Sequence, residues 1–110
     1  MNLKETKKDP AVVIEIVGRL DTTNYSELEK VIMKLIDGGN LNILIDCSDM
    51  DYVSSSGLRI FLMALKKINA SKGKFYLCSL QPNIREIFEI SGFTSIFSIY
   101  EDQQKALQAF

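Results

Sequence analysis

Residues 41–45, Leu41-Asn42-Ile43-Leu44-Ile45, constrain this chain more than any other stretch. An extended run that is apolar at nearly every position suits a strand covered on both faces, whereas a strand with one wet face would alternate. Further along, Leu58, Phe61, Leu62, Leu65 and Ile68 recur at helical spacing, with Arg59, Lys66 and Lys67 elsewhere around the turn. A buried strand feeding a long amphipathic helix begins a βαβ unit, which commits the chain to an α/β fold. Between them, the segment from Asp46 to Gly57 places Ser54, Ser55, Ser56 and a glycine at the start of the helix.

The remaining segments fit the same plan. Leu3 to Thr6 and Val12 to Val17, parted by the turn residues Lys7-Lys8-Asp9-Pro10, read as an N-terminal hairpin. Gly18-Arg19-Leu20-Asp21 then leaves the strand. Asn24 and Glu27 have capping-box spacing before a helix with Tyr25, Leu28, Val31, Ile32 and Leu35 on one side, ended by Gly38-Gly39. Beyond Lys72-Gly73 come a strand from Lys74 to Cys78 and a helix opening at Pro82, with Ile84, Ile87 and Phe88 together and Ser91-Gly92 at its end. A short strand from Ser95 to Ile99 and a helix from Glu101 to Phe110, with Ala106, Leu107 and Phe110 inward, close the chain. The expectation is one domain over residues 1–110. It has a single mixed sheet of about five strands, the first antiparallel, and about four helices in the order β-β-α-β-α-β-α-β-α with right-handed crossovers.

Composition narrows the function. Thirteen basic and fourteen acidic residues give a formal charge of −1, which argues against direct nucleic-acid binding driven by phosphate neutralisation. No apolar run approaches bilayer length and the N-terminus is too polar for a signal-peptide core, so a cytoplasmic protein without a membrane segment is expected. The chain has no His, which removes any Ser-His-Asp arrangement, and no Gly-rich phosphate loop of the Walker type. Cys47 and Cys78 each close an apolar run without metal-ligand or redox spacing and read as small core residues. No enzyme activity, metal or cofactor is expected.

Sites in such sheets gather where the carboxyl ends of strands meet the following helices. Two segments qualify: Arg19 with Asp21, Thr22, Thr23 and Asn24 after the second strand, and Asp46 to Gly57 after the third. Neighbouring strands bring them to one surface. A serine at a helix start can cap an unpaired N–H, and the same helix end also tolerates a phosphate. The serines therefore pose a choice between cap and switch. Asp21 is either a turn residue or an acid that orients, or repels a phosphate from, the hydroxyls. Ile60 and Met63, on the shoulder of the second helix, extend the core or form the apolar part of a docking surface.

Gly18-Arg19-Leu20-Asp21, Asp46 to Ser48, Tyr52 to Arg59, and Ile84 to Phe93 through Ile96-Phe97 together resemble the STAS domain of bacterial anti-sigma factor antagonists, over nearly the whole chain. The resemblance implies the STAS fold and a partner-switching protein of no catalytic activity. Its unphosphorylated form binds an anti-sigma factor, itself a serine kinase of the GHKL type, and frees the sigma factor for transcription. Phosphorylation at the residue before the motif glycine, Ser56 here with Ser55 the second choice, ends the partnership, and a PP2C-type phosphatase restores it. The partner-binding surface so implied comprises Asp21, Thr22, Thr23, Asn24, Ser54, Ser55, Ser56, Gly57, Arg59, Ile60 and Met63. A monomer is expected when free. Where many members carry an acid, Ser54 stands in this chain. The alternative is a STAS subunit docking partners in another regulatory or transport assembly without a sigma factor. An enzyme reading would need a base for these serines from Asp21, Asp46, Asp49 or Asp51.

Overall fold

In the computed structural model, which describes residues 1–110, the N-terminal hairpin forms one edge of a five-stranded sheet. The strands are β1 (Asn2–Lys8), β2 (Ala11–Leu20), β3 (Asn42–Val53), β4 (Lys74–Cys78) and β5 (Ser98–Tyr100), and they lie side by side in chain order. Only β1 runs antiparallel to its neighbour; β2 to β5 are parallel. The connecting helices are α1 (Tyr25–Asp37), α2 (Ser55–Ala70) and α3 (Pro82–Ile90), with a 3-10 turn at Phe93–Ser95 and a closing helix α4 (Gln103–Gln108). The expected mixed sheet and element order are therefore present.

When parallel strands follow chain order and every crossover is right-handed, all connecting helices fall on one face. The larger core is built that way: Leu28, Ile32 and Leu35 of α1, Ile60, Phe61, Ala64 and Ile68 of α2, and Ile84 and Phe88 of α3 pack on Ile14, Ile16, Ile43 and Ile45. Only α4 covers the opposite face, over Val13, Leu44 and Cys78. Leu44 and Ile45 thus serve two cores from adjacent positions, which is why the run is apolar without alternation. Cys47 and Cys78 are fully buried free thiols, one in each core, as small core residues.

Several boundaries differ from the sequence reading. Gly18-Arg19-Leu20 does not leave β2, which continues to Leu20 through register shifts at Glu15/Val17 and Gly18/Arg19. Likewise β3 does not end at Ile45 but runs to Val53, because Met50 and Val53 are buried and hold the polar extension onto the sheet. The buried side of α2 is rotated from the expected stripe: Ile60 and Ala64 join Phe61 and Ile68 inside, while Leu62 and Leu65 are half-buried. At the C-terminal side, Phe93–Ser95 is a 3-10 turn and β5 begins only at Ser98, since Phe93 and Phe97 turn in to pack edge-to-face with Phe88.

Candidate functional site

The ends of β2 and β3 bring the two expected segments together. In the register, Arg19 lies opposite Tyr52 and Leu20 opposite Val53, and the Ser54 N–H donates to the Leu20 carbonyl at 2.9 Å. Ser54 is the N-cap of α2: its Oγ accepts from the Gly57 N–H at 3.2 Å, and its carbonyl accepts from Leu58 at 3.0 Å. This engages one of the orphan donors at the helix start. Ser55 and Ser56 occupy the first helical positions, Ser55 exposed and Ser56 half-buried, and the hydroxyl of neither takes part in a hydrogen bond.

Gly57 is what lets this helix start sit so close to the sheet. A Cβ there would come within 2.8 Å of Leu20 Cγ and 3.0 Å of Val53 Cγ2, closer than carbon atoms approach without displacement. The motif glycine therefore serves packing, and it brings the serines up against the end of β2.

The β2–α1 segment is held by its own polar groups. Asp21 accepts from the Thr23 N–H at 2.9 Å and the Thr23 hydroxyl at 2.6 Å, and Arg19 Nε lies 3.5 Å from its other oxygen. These donors, the Thr23 hydroxyl foremost, hold the Asp21 carboxyl below its ordinary range. Asn24 precedes α1 but does not form the expected capping box. Its Oδ1 accepts from the Asp21 N–H and its Nδ2 donates to the Arg19 carbonyl, each at 2.9 Å, so the side chain ties the loop to the strand end instead. Thr22 is exposed.

Two features escaped the sequence. The Arg19 guanidinium lies over the Tyr52 ring, 4.1 Å from its centroid, a cation–π contact that depends on β3 reaching Val53. The buried Asp46 accepts from the Ser48 N–H at 2.9 Å and from Gln103 Nε2 at 2.8 Å, and Lys8 Nζ donates to the Gln103 side chain, so this acid fastens α4 across the sheet. No serine of the cluster hydrogen-bonds a carboxylate: Asp21 is engaged with Thr23 and Arg19, and Asp46 with Ser48 and Gln103. On α2, Ile60 is 5% exposed and belongs to the core, whereas Met63 is half-buried and Arg59 exposed. Of the two shoulder residues, only Met63 reaches the surface.

Residues 2–106 match the STAS domain family. Over 110 residues the chain is 36% identical to a Bordetella bronchiseptica protein that carries the provisional name anti-sigma factor antagonist BtrV, covering all of this chain and 95% of that one. It is 27% identical to the anti-sigma-B factor antagonist of Staphylococcus aureus across 92% of this chain and 94% of the relative. Among solved structures, the phosphorylated form of the Bacillus cell fate determinant SpoIIAA superimposes with a TM-score of 0.78 at 21% identity, covering 98% of each chain. The match of sequence, strand order and helix placement has one reading: this chain belongs to the STAS domain family.

Proposed function

We propose that this chain is an anti-sigma factor antagonist that binds an anti-sigma factor with GHKL-type serine kinase activity. Phosphorylation at the start of α2 ends the binding. Ser56 is the acceptor and Ser55 the second choice, a PP2C-type phosphatase reverses the modification, and the exchange takes place in the cytoplasm. The observation that carries this reading is the division of labour among the serines: Ser54 is spent as the cap, while two free hydroxyls follow it on the first turn. The names of the relatives, an anti-sigma factor antagonist and an anti-sigma-B factor antagonist, support the same reading.

The physical steps are few. The partner docks on the surface formed by Asp21 to Asn24, the serine turn, Arg59 and Met63. A phosphate on the first turn carries about −1.5 to −2 charge, which the N-terminal end of α2 accommodates through its free N–H groups and dipole. A partner surface pressed on the same turn must desolvate that charge, at a cost of roughly 3 to 5 kcal/mol. The domain keeps its fold and the complex separates.

Incubating the protein with its anti-sigma factor kinase and ATP is expected to add one phosphate, mapping to Ser56 or Ser55 by mass spectrometry. A phosphate elsewhere, or none from a kinase that binds the chain, refutes the switch. Ser56→Asp is expected to weaken the complex by about tenfold or more while the melting temperature stays near that of the parent. Equal binding by the variant counts against the site.

A further inference from the structure

Arg59, Leu62, Met63, Lys66 and Lys67 line a shallow groove of about 270 Å³ along α2. Their spacing, i, i+3, i+4, i+7 and i+8, makes them one side of the helix, and the same side continues backwards to Ser56 and Ser55, three and four residues before Arg59. Leu62 and Met63 are half-buried and form an apolar floor; Arg59, Lys66 and Lys67 are exposed and form a basic rim. None of these cations is paired, for the ion pairs of the molecule are Arg19 with Asp21 and Lys105 with Glu101. Over its whole length α2 carries these three basic residues and no acid, in a chain whose net charge is −1. A merely solvated helix side gains from acids placed four residues from its bases, and this one has none.

We propose that this groove seats an acidic amphipathic helix of the protein partner. An apolar side chain of that helix rests on Leu62 and Met63, and its carboxylates face Arg59, Lys66 and Lys67. The inference rests on the function proposed above and adds the chemistry of the partner's surface. From Arg59 to Lys67 the helix rises about 12 Å, so a little over two turns of a partner helix match the groove, and a further turn would meet the serine turn. The charge of the modification then acquires a second effect. A phosphate on Ser55 or Ser56 stands within helical reach of Arg59, so it draws one rim cation to itself and sets a negative charge at the mouth of a groove that selects for acid.

The test is Lys66→Glu/Lys67→Glu in the full chain, with Lys66→Gln/Lys67→Gln as a milder companion. Both are surface changes, so melting temperature serves as the folding control. Titrated against the anti-sigma factor by calorimetry, the double reversal is expected to bind about tenfold or more weakly, the double Gln variant less so, and both with a shallower dependence on salt. The loss caused by Ser56→Asp is expected to shrink in the reversed background, as coupled sites require. If both variants bind like the parent while Ser56→Asp still weakens binding, the groove proposal falls and the function stands. If the parent itself binds no anti-sigma factor, the function falls. A helical Glu/Leu peptide added to nitrogen-15-labelled protein then judges the groove separately: shifts at Leu62, Met63, Lys66 and Lys67 support it. Binding of phosphatidylserine vesicles or self-association at those residues, without the peptide, overturns it.

Discussion

The assignment of Ser54 as cap, with Ser55 and Ser56 free, makes a quantitative prediction through Ser54→Ala. The lost interaction is one hydrogen bond, Gly57 N–H to Ser54 Oγ, at 3.2 Å, near the long end of the normal range. On length alone the cost would lie at the lower end of the 0.5–2 kcal/mol spanned by cap substitutions, about 0.5–1 kcal/mol. Gly57 is buried against Leu20 and Val53, however, so its N–H finds replacement water poorly and the cost moves up, to about 1–2 kcal/mol. With the usual unfolding entropy per residue, this lowers the melting temperature of a chain of this length by about 4–9 °C. Ser54→Asp keeps an acceptor and adds a charge that the helix N-terminus favours, so it is expected to stay within about 0.5 kcal/mol of the parent. Ser55→Ala and Ser56→Ala remove hydroxyls without partners and are expected to be neutral. Urea denaturation with thermal melts on the four variants is the assay. Equal losses from Ser54→Ala and Ser56→Ala, or no loss from either, would refute the separation of cap from acceptor.

The geometry carries further expectations. Gly57→Ala forces Leu20 and Val53 to move and is expected to cost about 1–3 kcal/mol of overpacking, less up to about 1 kcal/mol of gained helix propensity; a clearly stabilised variant in urea melts would contradict the close approach. Burial pushes the Cys78 thiol up to about 12 and the Cys47 thiol well above its ordinary value, so neither should react with a thiol reagent at mildly alkaline pH until the protein is denatured. Rapid labelling of the native protein would mean that the two cores open. Thr23→Val removes the hydroxyl bond to Asp21 and is expected to raise the Asp21 pKa toward its ordinary value, as followed by carboxyl carbon-13 titration. Since the folded-state pKa lies below the unfolded one, the stability Asp21 contributes is present above the unfolded pKa and is lost as pH falls through the folded pKa. The variant narrows that window, and an unchanged titration would remove Thr23 as the cause.

Periodicity and turn residues carried most of the fold. The apolar run at 41–45 announced a strand covered on both faces, Pro82 and Gly38 marked helix ends where they occur, and β4 occupies the residues expected of it. The misread segments were polar ones held by distant partners. Nothing local in Ser48-Asp49-Met50-Asp51-Tyr52 reads as strand, and only pairing with β2 and the burial of Met50 and Val53 extend β3 that far. The capping box failed for the same kind of reason, since Asn24 found better partners at the end of β2.

The sequence by itself determined the α/β class, the serine turn at the head of α2 and the family, because apolar spacing, turn chemistry and motif order are local properties. Tertiary structure alone decided which serine is the cap, that Ile60 is core while Met63 is surface, that Arg19 stacks on Tyr52, and that three unpaired cations share a groove with an apolar floor. Each of these depends on the rotation of α2 about its axis and the register of β2 on β3. The close approach of Gly57 to Leu20, a β2 residue far from it in the chain, seats α2 against the sheet, and the backbone pairing of β2 with β3 sets the register.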